Sequence, residues 1–373
     1  MTPIGPLGPL QPPGSDAGTG PGGDDPRNSA SFVDPTGPGL DNDNNSIELK
    51  EVEGLSLSRV VFRRFLRHRA AIISLIVLLF VVVLSLSSIG LHVFGINTGG
   101  WWKWQFDQVP NVINQGEPTL TIFPFSIGEH PFGQDSVGHD MFAEVMRGIQ
   151  QSLMIVFVTG IVSTFLGAVI GAAAGYFGGL ADSLLMRLTD MVIIIPLLLL
   201  AAIVGHAVNG PSVILALVLG LLVWTSLARL VRGEVLALRE REFVDAARVA
   251  GASSSRIMFR HILPNTVGVI VVSATLTMSA TILLETAISY LGFGVHAPDT
   301  SLGLLIAQYQ AAFATRPWLF WWPGVFIVVI ALTINFIGDG LRDAFDPRQR
   351  RGLKRSARIE KRNADRLAAE AAS

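Results

Sequence analysis

Six apolar runs, each about as long as a helix needs to cross a bilayer, restrict this chain to an integral membrane fold. They fall at residues 70–89, 153–176, 184–208, 212–230, 267–291 and 318–337, near the ~20 residues that cross a hydrocarbon core of about 30 Å. With no water in that core, each run must satisfy its own backbone, which a helix does. A soluble core would show shorter runs broken by polar faces, and neither 70–89 nor 318–337 does. The expectation is an all-α integral membrane protein with six transmembrane helices. Half of the 373 residues are apolar and 15% are charged, in keeping with that class.

Orientation follows from arginine. Arg63, Arg64, Arg67 and Arg69 precede the first run; Arg229, Arg232, Arg239, Arg241, Arg248, Arg256 and Arg260 crowd the connection between the fourth and fifth; Arg342, Arg348, Arg350, Arg351 and Lys354 follow the sixth. Positively charged connections stay on the cytoplasmic side, so both termini are expected there, in a multi-pass protein of the cell membrane. Residues 91–151 and 294–317, poor in Lys and Arg, then face outward. Residues 1–50, rich in Pro, Gly, Asp, Asn and Ser, read as a disordered cytoplasmic tail. Residues 60–348 read as one membrane domain, and 349–373 as a basic cytoplasmic tail, solvated or drawn to anionic lipid headgroups. The polar tail and the length of the first run argue against a cleaved signal peptide. With no cysteine, neither a disulfide nor a thiolate metal site is expected. The net charge of −1 says little for a membrane protein, and no nucleic-acid partner is expected.

Within the second run Gly160, Gly167, Gly171 and Gly175 recur on one side of a helix, so close helix packing is expected there. Charged residues near the spans are few: Asp182, Arg187, Asp190, Glu285 and Asp339. Glu285 is the costly one, since a charge at the bilayer centre costs roughly 2.5 kcal/mol or more. It is the candidate for a structural or gating role, or for a place on a substrate pathway. Trp101, Trp102 and Trp104 are candidates for anchoring the first outer segment at the interface.

The connection 242–265 is a polar, arginine-bearing island between apolar runs. It reads as a helix from Glu242, a turn at Gly251 in left-handed conformation, and a second helix capped by Ser253 or Ser254 and stopped by Pro264. Ala246, Ala247 and Ala250 remove side-chain bulk where another protein could approach. The spacing resembles the EAA loop of permease subunits of ATP-binding-cassette (ABC) importers: acidic-Ala-Ala, three residues, Gly, nine residues, Ile-x-Leu-Pro. It falls here on Asp245, Ala246, Ala247, Gly251, Leu263 and Pro264, with Asp245 for the usual Glu and His261 for the Ile.

Three further segments are similar to the C-type permease of the dipeptide, oligopeptide and nickel importers. His130-Pro-Phe-Gly-Gln-Asp-Ser-Val-Gly-His-Asp140 resembles the motif His-Pro-Leu-Gly-Thr-Asp-x-x-Gly-Arg-Asp, departing at Phe132, Gln134 and His139. Glu285-Thr-Ala-Ile-Ser-Tyr-Leu-Gly-Phe-Gly294, with Pro298 and Gly303, resembles a second motif of that branch. Gly338, Asp339, Gly340, Leu341, Arg342, Asp343, Asp346, Pro347 and Arg348 resemble its ending.

This resemblance implies the type I ABC importer permease fold and a transport subunit rather than an enzyme. It implies that Glu242, Asp245, Ala246, Ala247, Gly251, Ser254, Arg256, Leu263 and Pro264 form a docking element for an ABC ATPase. No G-x-x-x-x-G-K-[ST] loop surrounds any of the four lysines, Lys50, Lys103, Lys354 and Lys361, so ATP and Mg are expected on partner ATPase subunits, with no cofactor, catalytic residue or metal site in this chain. Other implied partners are a second homologous permease, an extracytoplasmic substrate-binding protein and membrane lipid. Peptides are the expected cargo; nickel or another small solute is the alternative. A secondary transporter is a competing class, which would show paired broken helices or several intramembrane charges. A membrane enzyme would show clustered His, Asp and Glu.

Overall fold

The computed structural model describes residues 57–93, 96–121, 123–207 and 211–346. The expectations for the tails 1–50 and 349–373, and for Pro347 and Arg348, lie outside the described residues. The apolar runs become helices, and caps set several of their ends. α1 (Leu57–Phe65) precedes α2 (Arg69–Ile89). The His68 ring accepts from the Ala71 N–H at 3.1 Å to start α2, and Gly90, at φ +82°, ends it. Its 21 residues rise about 32 Å, enough for one crossing. A short ribbon pairs β1 (His92–Val93) with β2 (Ile96–Asn97).

α3 (Met141–Phe177) begins well before the expected start of its run at 153. Asp140 caps it, accepting from the Ala143 N–H at 3.0 Å. Thirty-seven residues rise about 55 Å, more than a bilayer requires, so the polar turn bearing Arg147, Gln150 and Gln151 stands at the end away from the arginine clusters, here called the outer end.

The third and fourth crossings depart from the single spans expected. α4 (Gly179–Ile194) and α5 (Leu197–Ala207) bend by 84°. Pro196 has no N–H to donate and holds Ile195 in extended backbone, φ −77° and ψ 127°, which ends the helix in mid-run. The two pieces still make one crossing: α4 starts beside Arg239 at the arginine-rich end, and α5 ends with Gly205 against the Phe293 carbonyl in the outer loop. α6 (Ser212–Val223) and α7 (Thr225–Arg239) bend by 43° at Trp224, whose indole N–H donates to the Leu221 carbonyl at 2.9 Å and competes with the helical ladder.

α8 (Glu242–Val249) is followed by α9 (Ser254–Ile257), a π turn (Met258–Ile262) and α10 (Leu263–Tyr290). The last three form one continuous helix, Ser254–Tyr290, of 37 residues. Pro264 therefore does not stop the second helix of the loop. The π turn places the proline in the first turn of α10, where its missing N–H and ring are accommodated. α11 (Leu302–Tyr309) is a short outer helix and α12 (Trp318–Phe345) the sixth crossing.

α3 is the axis of the bundle. Gly167 lies against the Trp224 carbonyl at the break, and Gly171 and Gly175 against the Ala228 and Arg232 carbonyls of α7, so a Cβ at Gly171 would sit 2.4 Å from the Ala228 oxygen. Gly160 faces Met278 of α10 instead. Three apolar cores run along the bundle. The outer one joins α2, α3, α11 and α12 through Ile89, Met146, Leu302 and Leu319. The middle one joins α3, α6 and α10 through Ile155, Leu219 and Ile288. The inner one joins α3, α7, α8 and the start of Ser254–Tyr290 through Tyr176, Val235, Val244 and Ile257.

Candidate functional site

The loop 242–265 is built as a short helix seated on the inner core. Val244 is fully buried there, and Ala247 is half-buried against the same cluster. Ala247 thus packs partly on the inner core and is less open than Ala246. Asp245, Ala246, Arg248, Val249, Ala250 and Gly251 are exposed. Val249 is 91% exposed, an apolar side chain set on a polar connection and left in solvent. α8 ends as expected: Gly251 has φ +77°, its N–H donates to the Arg248 carbonyl at 2.9 Å, and the Ala252 N–H donates to the Ala247 carbonyl at 3.0 Å. A side chain at 251 would meet open space, so backbone conformation alone demands glycine. Ser253, not Ser254, caps the second helix, accepting from the Arg256 N–H at 3.4 Å. Glu242, Ser254, Arg256 and Pro264 are exposed; Leu263 packs on the inner core. Asp245 and Arg248 pair at 3.0 Å in the open, a contact that orients the face and adds little stability.

The arginines of α7 clasp the crossing before them. Arg232 grips Asp182 in a two-pronged pair at 2.5 and 2.6 Å, Arg229 meets Asp190 at 2.5 Å, and Arg239 donates to the last carbonyls of α3, Gly175 and Tyr176. The carboxylates that sequence placed near the third span are thus partnered at its arginine-rich end.

At the outer end, the 130–140 motif is a folded cap for α3. His130 Nδ1 meets Asp140 Oδ1 at 2.8 Å, and Trp102 Nε1 donates to Asp140 Oδ2 at 2.8 Å. Asp135 Oδ1 accepts the N–H groups of Val137, Gly138 and His139 at 2.7 to 2.9 Å. Each departure from the family pattern has a partner. Gln134 reaches the Ile113 N–H and the Asn111 carbonyl, Phe132 stacks on Trp322 with centroids 3.9 Å apart, and His139 Nδ1 meets Asp135 Oδ2 at 2.9 Å. Burial would raise the Asp135 pKa, but the His139 ring and the N–H groups of Gly138 and His139 outweigh it and hold the carboxyl below its ordinary value. Asp140 goes the other way: burial raises it despite its hydrogen bonds. Trp102 and Trp104 belong to this cap, the latter stacked on His130, so of the three tryptophans only Trp101 is exposed.

Glu285 is fully buried and bonded within the chain. It accepts from Ser289 Oγ at 2.8 Å and Ser152 Oγ at 3.0 Å, and Ser152 Oγ in turn accepts from the Leu302 N–H at 3.3 Å. The carboxylate ties α3, α10 and α11 together and faces no open path here. Sequence reasoning missed a neighbouring node: Arg147 pairs with Asp299, which also accepts from Gln151 Nε2 at 2.5 Å. The signal was the run of polar residues just ahead of 153, read as loop instead of helix.

A family profile described as the binding-protein-dependent transport system inner membrane component matches residues 167–351. A second, the N-terminal TM domain of oligopeptide transport permease C, matches residues 56–92. The oligopeptide transport system permease protein OppC of Mycobacterium tuberculosis is 38% identical over 311 residues, 82% of this chain and 99% of that one. The chain belongs to this permease family. OppC of Escherichia coli is 35% identical to the permease over 306 residues, covering 82% and 96% of the two chains. A putative peptide permease protein of Brucella ovis is 39% identical over 291 residues, covering 76% and 89%. The permease is an inner-membrane, multi-pass protein with the type I ABC permease fold, a transport subunit of an ABC importer.

Proposed function

We propose that this permease forms half of the pathway of a peptide importer, paired with a second homologous permease. Separate ATPase subunits, carrying ATP and Mg, supply the energy, and an extracytoplasmic binding protein delivers the cargo to the outer cap. Support for peptides comes from relatives named as oligopeptide permeases that match most of the chain. The observation that carries the coupling is the α8 loop, seated by Val244 and presenting Ala246, Val249 and Gly251 to solvent. The docking set is Glu242, Asp245, Ala246, Gly251, Ser254 and Arg256 at the surface, with Ala247, Leu263 and Pro264 shaping the element from within and beside it. Glu285 acts as a hinge post, holding the outer helix α11 through its serines. The arginine clusters support a cytoplasmic position for this loop and for both termini.

The test is ATP hydrolysis by the reconstituted complex, with and without loaded binding protein, together with pull-down of the ATPase. Ala246→Trp puts bulk on the exposed face, and Gly251→Val strains a left-handed residue; disturbing a central contact costs about 2 kcal/mol or more, a tenfold or greater loss of stimulation. Unchanged stimulation and pull-down in both variants would overturn the docking role. Binding of peptides against nickel by the partner binding protein decides the cargo; nickel binding without peptide binding would sink the peptide reading.

A further inference from the structure

The two broken crossings point to one place. Pro196 lies at the middle of the 184–208 run, Trp224 lies well inside 212–230, and Thr277 to Leu284 occupy the middle of 267–291. Residues flanking both breaks and this stretch of α10 line a single cavity of about 380 Å³. Mid-run breaks are costly in lipid, because the last carbonyls of a helix have no helical successors to bond them. α4 ends at Ile194, Ile195 is extended, and Pro196 has no N–H to return, so the terminal turn containing Val192 and Ile193 ends at the cavity wall without helical donors ahead of it. Non-helical backbone at this depth persists where it is buried in protein or lines a cavity, and here it lines one. The opposite walls carry the hydroxyl residues Thr225, Ser226, Thr277 and Thr281 with Ala280 between, and no charged residue lines the cavity.

We infer that this cavity is a substrate subsite for the uncharged main chain of an extended peptide, its N–H groups bonded by the carbonyls of the α4 end and its carbonyls by the hydroxyls of Thr225 and Ser226 on α7 and Thr277 on α10, that of Thr281 already donating to the Thr277 carbonyl at 2.8 Å. It rests on the peptide-import reading above and names the part of the cargo that is held. Acceptors on one wall and hydroxyls on the other match the alternating donors and acceptors of a peptide backbone, and a wall without charge reads no particular side chain.

The chain has no cysteine among its residues, so single cysteines report cleanly. In the complete complex in proteoliposomes, Ala280→Cys, on the cavity wall, is compared with Leu283→Cys, exposed but outside the cavity. A thiol in water ionises and one in lipid does not, so an impermeant methanethiosulfonate reagent should modify position 280 at least about tenfold faster than 283. Peptide-loaded binding protein under ATP turnover should slow that modification about fivefold, equally for tripeptides of different side chains. A tripeptide N-methylated at its internal amides, still bound by the binding protein, should protect about fivefold less, the effect of one lost hydrogen bond near 1 kcal/mol. No difference between 280 and 283, or equal protection by the N-methylated peptide, overturns the subsite. Absence of peptide uptake by the unmutated complex instead overturns the import reading, so the two failures are distinct.

Discussion

At the scale of single residues, the outer cap shows how one carboxylate orders a turn. Asp135 accepts three backbone N–H groups and the His139 ring, and its pKa is held below the ordinary 3.8. A lowered folded pKa gives stability that is present above the unfolded value and lost as pH falls through the folded one. The stability difference between the natural chain and Asp135→Asn should therefore be constant near neutrality and shrink on acidification below 3.8. Thermal unfolding of both proteins in detergent across that range measures it; a gap that widens toward acid would refute the assignment. Asp140, raised by burial, changes in the opposite sense in both proteins and cancels in the comparison. His139 replaces the arginine of the family pattern, and its ring fits between the turn and Asp135 without a longer side chain.

Helix contacts define the next scale. The stripe Gly167, Gly171 and Gly175 lets α3 lie on the carbonyls of α7, whose arginines then reach Asp182, Asp190 and the end of α3. Gly171→Val would put carbon within 2.4 Å of the Ala228 oxygen and force the helices apart. A loss of about 1–3 kcal/mol is expected from such overpacking. Gly233→Ala is the control: it meets nothing within 4 Å and gains helix propensity, so it should be neutral or slightly stabilising. Unfolding in mixed detergent micelles compares them, and equal behaviour of the two variants would show that the stripe is not a close contact. The π turn before Pro264 belongs to this scale too. It makes the second half of the 242–265 loop and the fifth crossing one continuous helix, Ser254–Tyr290, which carries both Thr277 and Glu285.

For the whole molecule, the arginine-rich loop and the outer cap lie at opposite ends of α3: Arg239 holds its C-terminal carbonyls, and Asp140 caps its N-terminus. Single cysteines at Asp107 and Ser254, both exposed, should react with an impermeant thiol reagent from opposite sides of the membrane. Labelling of both from the same side would break the topology on which the docking and delivery proposals depend.

The apolar runs, their order, and the helix-turn-helix of 242–265 with its Gly251 turn were legible because each rests on local chemistry: run length against bilayer thickness, and the left-handed cap that glycine favours. Tertiary structure alone decided the rest. Whether Pro264 stops a helix depends on the π turn ahead of it. Whether Ala247 faces a partner depends on the inner core. The fate of Glu285 depends on Ser152 and Ser289, serines from two helices far apart in the chain. The breaks at Pro196 and Trp224 each had a local cause, but only packing brought them beside the same face of α10, because contacts between crossings far apart in the chain leave no period in the sequence.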